Sequence, residues 1–429
     1  MRRLVIANAE VFDGTGAPPR LVDVAIEDER IAAVAAGLSG DQVLDARGDT
    51  LVPGLIDCHV HALVHEIDVW QLAQQPFTYR LLQAIRDLEE TLASGVTTVR
   101  DCAGADLGVQ EALRDGLVAG PRMQISINML SRTGGHADYW LPSGASLGIL
   151  PSVPGMPPNV VDGPDEMRRA VRTLVRAGAN FIKIAATGGT LSPRSNPQRP
   201  QFTEPELSVL VEEAALAGVP VVAHAHGADG IKAAVRAGVR SIEHGVYLDE
   251  EAVELMLERG TYLVPTLTAS TSVLAVAEAG GNVHASTLEK QRRALESHVA
   301  SFSMAYQAGV RIAMGTDAGV TRHGDNPAEL EAMVGHGMSP AEALLAATGV
   351  AAKLLDLDRE IGTIEVGKRA DLVLLRGGGL TPSKERVRVV FKDGTVVNRP
   401  SAAGPHAPFE SGLAYVDRHE HAAGPRGAR

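Results

Sequence analysis

Disulfide frameworks, membrane spans and a basic surface are all missing from this 429-residue chain. Two cysteines, Cys58 and Cys102, cannot staple a fold of this length, so it is not a disulfide scaffold. No run approaches the ~20 consecutive apolar residues that a membrane helix requires. Acids outnumber bases by 52 to 40, and the net charge of −12 is spread along the chain. That balance excludes the basic face a nucleic-acid partner would need. The opening MRRLVIANAEVFDG runs straight into a short alternating strand, so a signal peptide is not expected and a cytoplasmic enzyme is. What is present is the hydrophobic, Gly and Pro content of an ordinary globular protein. The length suits one barrel of the (β/α)8 class with an added module.

The two ends read alike. Residues 1–50 hold short β segments separated by turn residues (Asp13-Gly14, Pro18-Pro19, Asp28-Glu29, Ala46-Arg47-Gly48). The same texture returns in IGTIEVGKRADLVLLRGG (361–378) and VRVVFKDGTVVN (387–398). Such turn-punctuated runs form antiparallel sheets, so residues 1–53 and 360–400 are expected to pair into a composite β-sandwich. Residues 401–429, rich in Ala, Gly, Pro, His and Arg without periodicity, read as a tail.

Between the ends a unit repeats, a helix ending in Gly and then an apolar strand: 94–101, 177–184, 217–224, 237–244, 259–266 and 308–317. Gly past a helix end takes the left-handed conformation, and an apolar run after it suits a strand buried in a parallel sheet. With LVPGLIDCHVH (51–61) and PRMQISINML (121–130) there are eight strands, which predicts an α/β fold, a (β/α)8 TIM-type barrel, over residues 54–359. Thr203 with Glu206, and Ser339 with Glu342, mark helix starts as capping boxes. A helical stretch is expected over residues 326–355.

The barrel strands end in polar residues where apolar ones would suit a core. In GLIDCHVHA (54–62) the period of two puts His59 and His61 on one face, close enough to share an ion. Cys58 alternates to the other face and reads as core. Further along, the strand ends carry Asp101, Lys183, His224 and His226, His244, and Asp317. Active sites of such barrels lie at these ends, and unpartnered polar groups there cost free energy, so a shared metal site is the reading. Lys183 stands between Ile182 and Ile184, in a run too apolar for a solvated ammonium. It is either a reactive amine, since burial favours the uncharged form of an amine, or a buried partner of Asp317 or Asp101.

With HVH (59–61), KIAATGG (183–189), HAHG (224–227), IEHG (242–245) and GTDAG (315–319) in this order, the chain resembles the binuclear metal-dependent amidohydrolase superfamily. Within it, the chain is most similar to the branch holding prolidase-like Xaa-Pro dipeptidases and ochratoxin-degrading amidohydrolases. The resemblance implies that His59, His61 and Asp317 bind one metal and that His224 and His244 bind the other. It also implies that a carboxylated Lys183 bridges the two ions. His226 competes with His224 for ligation or lies one layer out, near substrate. His136, in the long loop 131–159, is a candidate to polarise the substrate carbonyl. Arg194, Arg322 and His323 follow strands four and eight and are candidates to meet a substrate carboxylate.

The implied activity is hydrolysis of an amide in an Xaa-Pro-type dipeptide or an ochratoxin-like N-acyl amino acid. Two divalent ions, zinc by ligand type, about 3.5–4 Å apart would share and acidify a water. Asp317 would take its proton. The expected partners are a small molecule or dipeptide and further copies of the chain in a homo-oligomer, with neither nucleic acid nor membrane. Rival readings are a mononuclear deaminase, in which Lys183 has no task, a cyclic-amide hydrolase of the imidazolonepropionase type, whose relatives carry an acid in place of His226, and a metal-free scaffold. A serine nucleophile is not expected.

Overall fold

The computed structural model describes residues 3–147, 153, 155–192, 195–381 and 383–397; Arg194 and the tail 401–429 lie outside the described residues. The strands are β1 (Arg3–Val11), β2 (Arg20–Glu27), β3 (Arg30–Ala35), β4 (Gln42–Asp45), β5 (Thr50–Pro53), β6 (Leu55–Val60), β7 (Val96–Asp101), β8 (Arg122–Ile125), β9 (Met129–Leu130), β10 (Ile182–Ala185), β11 (Val221–Gly227), β12 (Ser241–Tyr247), β13 (Tyr262–Val264), β14 (Leu372–Leu375), β15 (Val387–Lys392) and β16 (Thr395–Val396).

The chain ends do pair. β14 runs antiparallel to β5, from Leu372 opposite Pro53 to Leu375 opposite Thr50. The result is one mixed sheet in the order β16-β15-β14-β5-β1-β2-β3, with β4 beside β1. Its core includes Ile6, Val24, Leu51, Leu372 and Phe391, drawn from both ends of the chain. Asp393 and Gly394 close the β15–β16 hairpin with φ of 48° and 71°, the doubly left-handed turn that matches strand twist.

The middle of the chain alternates strands and helices. Its strands form two parallel sheets, β6-β7-β8 and β9-β10-β11-β12-β13. Every residue of β6, β7, β10 and β11 is buried, as expected of strands covered on both faces. In all six repeats the glycine is left-handed, with φ between 65° (Gly260) and 104° (Gly238). Both capping boxes form, Thr203 with Glu206 and Ser339 with Glu342.

Two of the eight expected strands are irregular. The third breaks at Ile127, φ 67°, so β8 stays with β7 while β9 pairs with β10. Residues 308–317 form no regular strand, yet they hydrogen-bond on both sides. Leu263 donates to the Arg311 carbonyl at 2.9 Å, and Cys58 donates to that of Met314 at 2.9 Å. That segment therefore joins β13 to β6. The 326–355 stretch is three short helices, Ala328–Gly335, Pro340–Ala346 and Gly349–Leu354. No helix among the described residues is long and apolar enough to cross a membrane.

Candidate metal centre

The C-terminal ends of the parallel strands converge on one cavity of about 710 Å³, lined by His59, His61, Lys183, His224, His226, His244 and Asp317. His61 Nε2 lies 3.3 Å from Asp317 Oδ1, and His59 Nε2 lies 3.6 Å from the same oxygen. Lys183 Nζ is 3.5 Å from His59 Nε2. The His224 ring centroid is 4.6 Å from those of both His226 and His244. Ligand-type atoms of His59, His244 and Asp317 lie within 4.8 Å of one another, as do those of His224, His226 and His244.

Three of the rings are oriented from behind. His59 Nδ1 bonds Glu243 Oε2 at 2.8 Å, and Glu243 Oε1 is paired with Arg100 Nη2 at 2.8 Å. His61 Nδ1 donates to the Ala103 carbonyl at 2.9 Å, and His244 Nδ1 meets Thr266 Oγ1 at 2.7 Å. These contacts turn the Nε2 atoms of His59 and His61 toward Asp317. His224 instead points Nε2 at the Gly188 carbonyl, 3.3 Å away, which opens its Nδ1. A ring nitrogen tied back to an oxygen is how metal-binding histidines are held in one tautomer and orientation.

Burial sets the charges. It pushes the imidazolium of His59 down to about 4, helped by the Lys183 charge, and drives His224, His226 and His244 well below the ordinary value. Neutral imidazoles keep a lone pair for a cation. Asp317 goes the other way: burial opposes its ionisation, but His61 and His59 hold it down at about 2. Burial also opposes His61, which Asp317 nevertheless keeps protonated above the ordinary range. His226 Nδ1 is buried without a partner among the described residues. The neutral imidazoles of His59, His224, His226 and His244 with one ionised carboxylate suit a zinc-type ion, for which His61 would give up its proton, so the residues present fit divalent metal.

The backbone bends to build this site. His244, Thr266 and Asp317 are left-handed, with φ of 73°, 52° and 59°. Such non-glycine residues cost on the order of 1–3 kcal/mol each and gather where function requires them.

Around the ligands, His136 stacks on His224 with centroids 4.3 Å apart, and its Nδ1 meets Ser192 Oγ at 2.6 Å. A Cβ on Gly189 would lie 2.1 Å from the His136 ring, so the second glycine of KIAATGG makes room for that stack. Asp101 turns from the cavity to cap the backbone N–H groups of Ala62 and Ala105, at 2.7 and 3.1 Å. Cys58 is buried in an apolar cluster with Ala351 and Leu354, as expected.

Two candidate substrate contacts lie outside the cavity lining. The Arg322 side chain is 58 % exposed and lies 4.0 Å from Glu90, and the His323 ring is tied to the Val64 carbonyl at 2.9 Å. Neither lines the cavity. The 319–325 turn packs over the helix Phe77–Ala93, where a Cβ on Gly324 would meet that of Glu90 at 3.1 Å. The sequence does contain one G-x-S-x-G match, Gly144 to Gly148. Its Ser146 is exposed and bridges to Trp140 instead of standing at a strand-to-helix elbow.

Sequence reasoning missed Glu243, Arg100, Thr266 and His298. His298 is buried, with Nε2 2.7 Å from the Pro265 carbonyl and 3.2 Å from that of His244. Glu243 and Arg100 did leave a signal, as opposite charges inside two strand runs, VTTVRD and SIEHGVY, of the repeating unit. Thr266 and His298 left none, because their roles arise from a turn and from a helix distant in sequence.

Its family and relatives make this chain a hydrolase acting on C–N bonds. The chain belongs to the Amidohydrolase family, whose profile matches residues 50–398. It is 36 % identical over 417 residues to the ochratoxinase of Aspergillus niger, covering 91 % of this chain and 85 % of that one. A crystal structure of a Xaa-Pro dipeptidase with methionine in its active site aligns with TM-score 0.83 and 35 % identity, covering 92 % of this chain and 99 % of the other. A prolidase complexed with N-methylphosphonate-L-proline aligns with TM-score 0.84 and 33 % identity, covering 93 % and 100 %. These neighbours imply a TIM-barrel-type α/β fold.

Proposed function

We propose that this chain is a binuclear metal-dependent amidohydrolase that cleaves an Xaa-Pro-type dipeptide or an ochratoxin-like N-acyl amino acid. The carrying observation is that Lys183 Nζ and Asp317 Oδ1 lie 3.5 and 3.6 Å from the same nitrogen, His59 Nε2. In this reading His59, His61 and Asp317 hold one ion and His224 and His244 the other. Lys183, on taking up CO2 with loss of two protons from its ammonium form, would offer anionic oxygens to both. Carboxylation also removes a cation from a cluster of imidazoles. When bound, two zinc-type ions supply Lewis acidity and an acidified water. The frame is read as a closed (β/α)8 barrel over 54–359, supported by the bonds from 311–314 to β13 and β6, and flanked by a sandwich of residues 1–53 and 360–400.

Asp317, ionised at neutral pH, takes the proton of the attacking water and returns it to the leaving amine. This reading gives His136 an accepting role. Ser192 Oγ donates to the His136 carbonyl at 2.5 Å, so it accepts from His136 Nδ1–H. That leaves Nε2 with a lone pair, and burial keeps the ring unprotonated down to about 4. His136 therefore accepts a hydrogen bond from substrate instead of donating to its carbonyl. His226 faces the same cavity and is read as a substrate-side group.

Metal analysis of protein purified without chelators, combined with a panel of dipeptides and N-acyl amino acids, tests the reading. Close to two equivalents of metal and release of a free amino acid are expected. One equivalent, unchanged by added metal and bicarbonate, would favour a mononuclear deaminase.

A further inference from the structure

We propose that Trp70 and Trp140 form an aromatic entrance that selects substrates bearing a flat aromatic or heteroaromatic group on the part projecting from the metal centre; this rests on the amide-hydrolase reading above. The chain has only two tryptophans in 429 residues, and aromatic residues make up 3 % of it. Both tryptophans line the same cavity as the candidate ligands. They are 50 % and 52 % exposed, although a tryptophan gains most when its large face is covered.

Their backbones are fixed from two separate elements. Trp70 lies in the first turn of the helix Val69–Gln74, where Asp68 caps its N–H at 2.9 Å. Asp68 is itself held by Asn282 Nδ2 at 2.8 Å. Trp140 lies in a hairpin in which Leu141 donates to the Ala145 carbonyl at 2.7 Å and Leu147 donates to that of Tyr139 at 3.0 Å. Backbones held this way need no loop ordering when a ligand stacks on the rings they carry. Near them the lining is apolar, with Ile67, Leu72, Leu141 and Pro142. Glu66 and Asp138 are the acids there, and Lys183 is the one lysine or arginine of the lining among the described residues. A flat apolar group suits such a mouth, and an anionic one does not.

The test uses the intact chain and its own emission. Excitation at the red edge reports on Trp70 and Trp140 alone, because there is no third tryptophan. N-(2-naphthoyl)-L-phenylalanine is compared with N-acetyl-L-phenylalanine, which shares its amine part. The naphthoyl compound should quench or shift the emission at saturation and show a KM lower by about tenfold or more. Each Trp→Ala change should shrink that KM ratio by about three- to tenfold, the scale of one aromatic contact, and Trp→Phe should keep most of it. Equal KM values for the two substrates in the parent enzyme would overturn the proposal, as would Trp→Ala changes that leave the ratio intact. So would emission that responds to protein dilution and not to ligand, which would assign the pair to a subunit interface. If the naphthoyl compound quenches through both tryptophans and neither amide is cut, the entrance stands and the hydrolase reading falls.

Discussion

At His59 the ring is held between two charges of opposite kind, with Glu243 behind it and Lys183 in front. Glu243 is fully buried, and its ionisation is opposed by burial but secured by Arg100 and Lys183. Glu243→Gln should therefore act twice. It should weaken metal affinity about 10- to 100-fold by loosening the histidine. It should also cost on the order of 3–5 kcal/mol by leaving Arg100 uncompensated. Adding Arg100→Met to that variant should return stability without returning affinity, measured by denaturant unfolding and metal titration. Wild-type affinity in Glu243→Gln would remove Glu243 from the metal site's support. Lys183→Ala should lose most activity and most bound metal, and acetate or propionate should restore part of both. Density for a bare amine in an active, fully metallated crystal would rule out the carbamate. The candidate ligands were legible in the sequence because metal-binding types stood at strand ends where apolar residues belong. Their supports were not, since a strand neighbour, a turn and a helix each meet the site only after folding.

The irregular elements lie where the chemistry is. Repetition of Gly followed by an apolar run was enough to place the parallel strands, and left-handed glycines close all six repeats. No pattern foretold that the third strand would break at Ile127 or that residues 308–317 would hydrogen-bond as a strand does without its regular form. The first departure coincides with a left-handed non-glycine residue, Ile127, which carries no sequence signature. The turn after β13 is held in the same manner from outside. Glu329, on the helix Ala328–Gly335, accepts from the N–H groups of Leu267 and Thr268 at 2.7 and 2.9 Å and from Thr268 Oγ1 at 2.7 Å. Burial outweighs these bonds and raises its carboxyl to about 7, with Asp57 the nearby charge that adds to the shift. The folded protein then keeps a proton on Glu329 that the unfolded chain releases near its ordinary value. Between about pH 4.5 and 7 the native state binds more protons, so this group's contribution to stability falls as pH rises across that window and is level above it. Denaturant unfolding of metal-free protein at pH 5 and pH 8 should show the fall, and Glu329→Gln should flatten it. An unchanged slope in the variant would assign the pH dependence to other groups.

Across the whole molecule, the candidate ligands come from both parallel sheets and from the segment that joins them. His59 belongs to β6, Lys183 to β10, His224 to β11, His244 to β12 and Asp317 to the 308–317 run. An ion held by residues so far apart in sequence links elements that the unfolded chain cannot bring together. Bound to the native state and not the unfolded one, it would stabilise by mass action, about 2.7 kcal/mol when free metal stands at 100 times its Kd. The apo protein has its own reasons to unfold: neutral imidazoles crowd together, His226 Nδ1 lacks a partner, and three left-handed residues face the same cavity. Removing metal with a chelator, then removing the chelator, should therefore lower the melting temperature by several degrees. Zinc with bicarbonate should restore it more fully than zinc alone, because CO2 is needed to rebuild the Lys183 carbamate. In Lys183→Ala that added effect of bicarbonate should vanish. A chain verified as metal-free that melts at the same temperature as the reloaded one would mean that the convergence of these residues on one cavity does not bind metal.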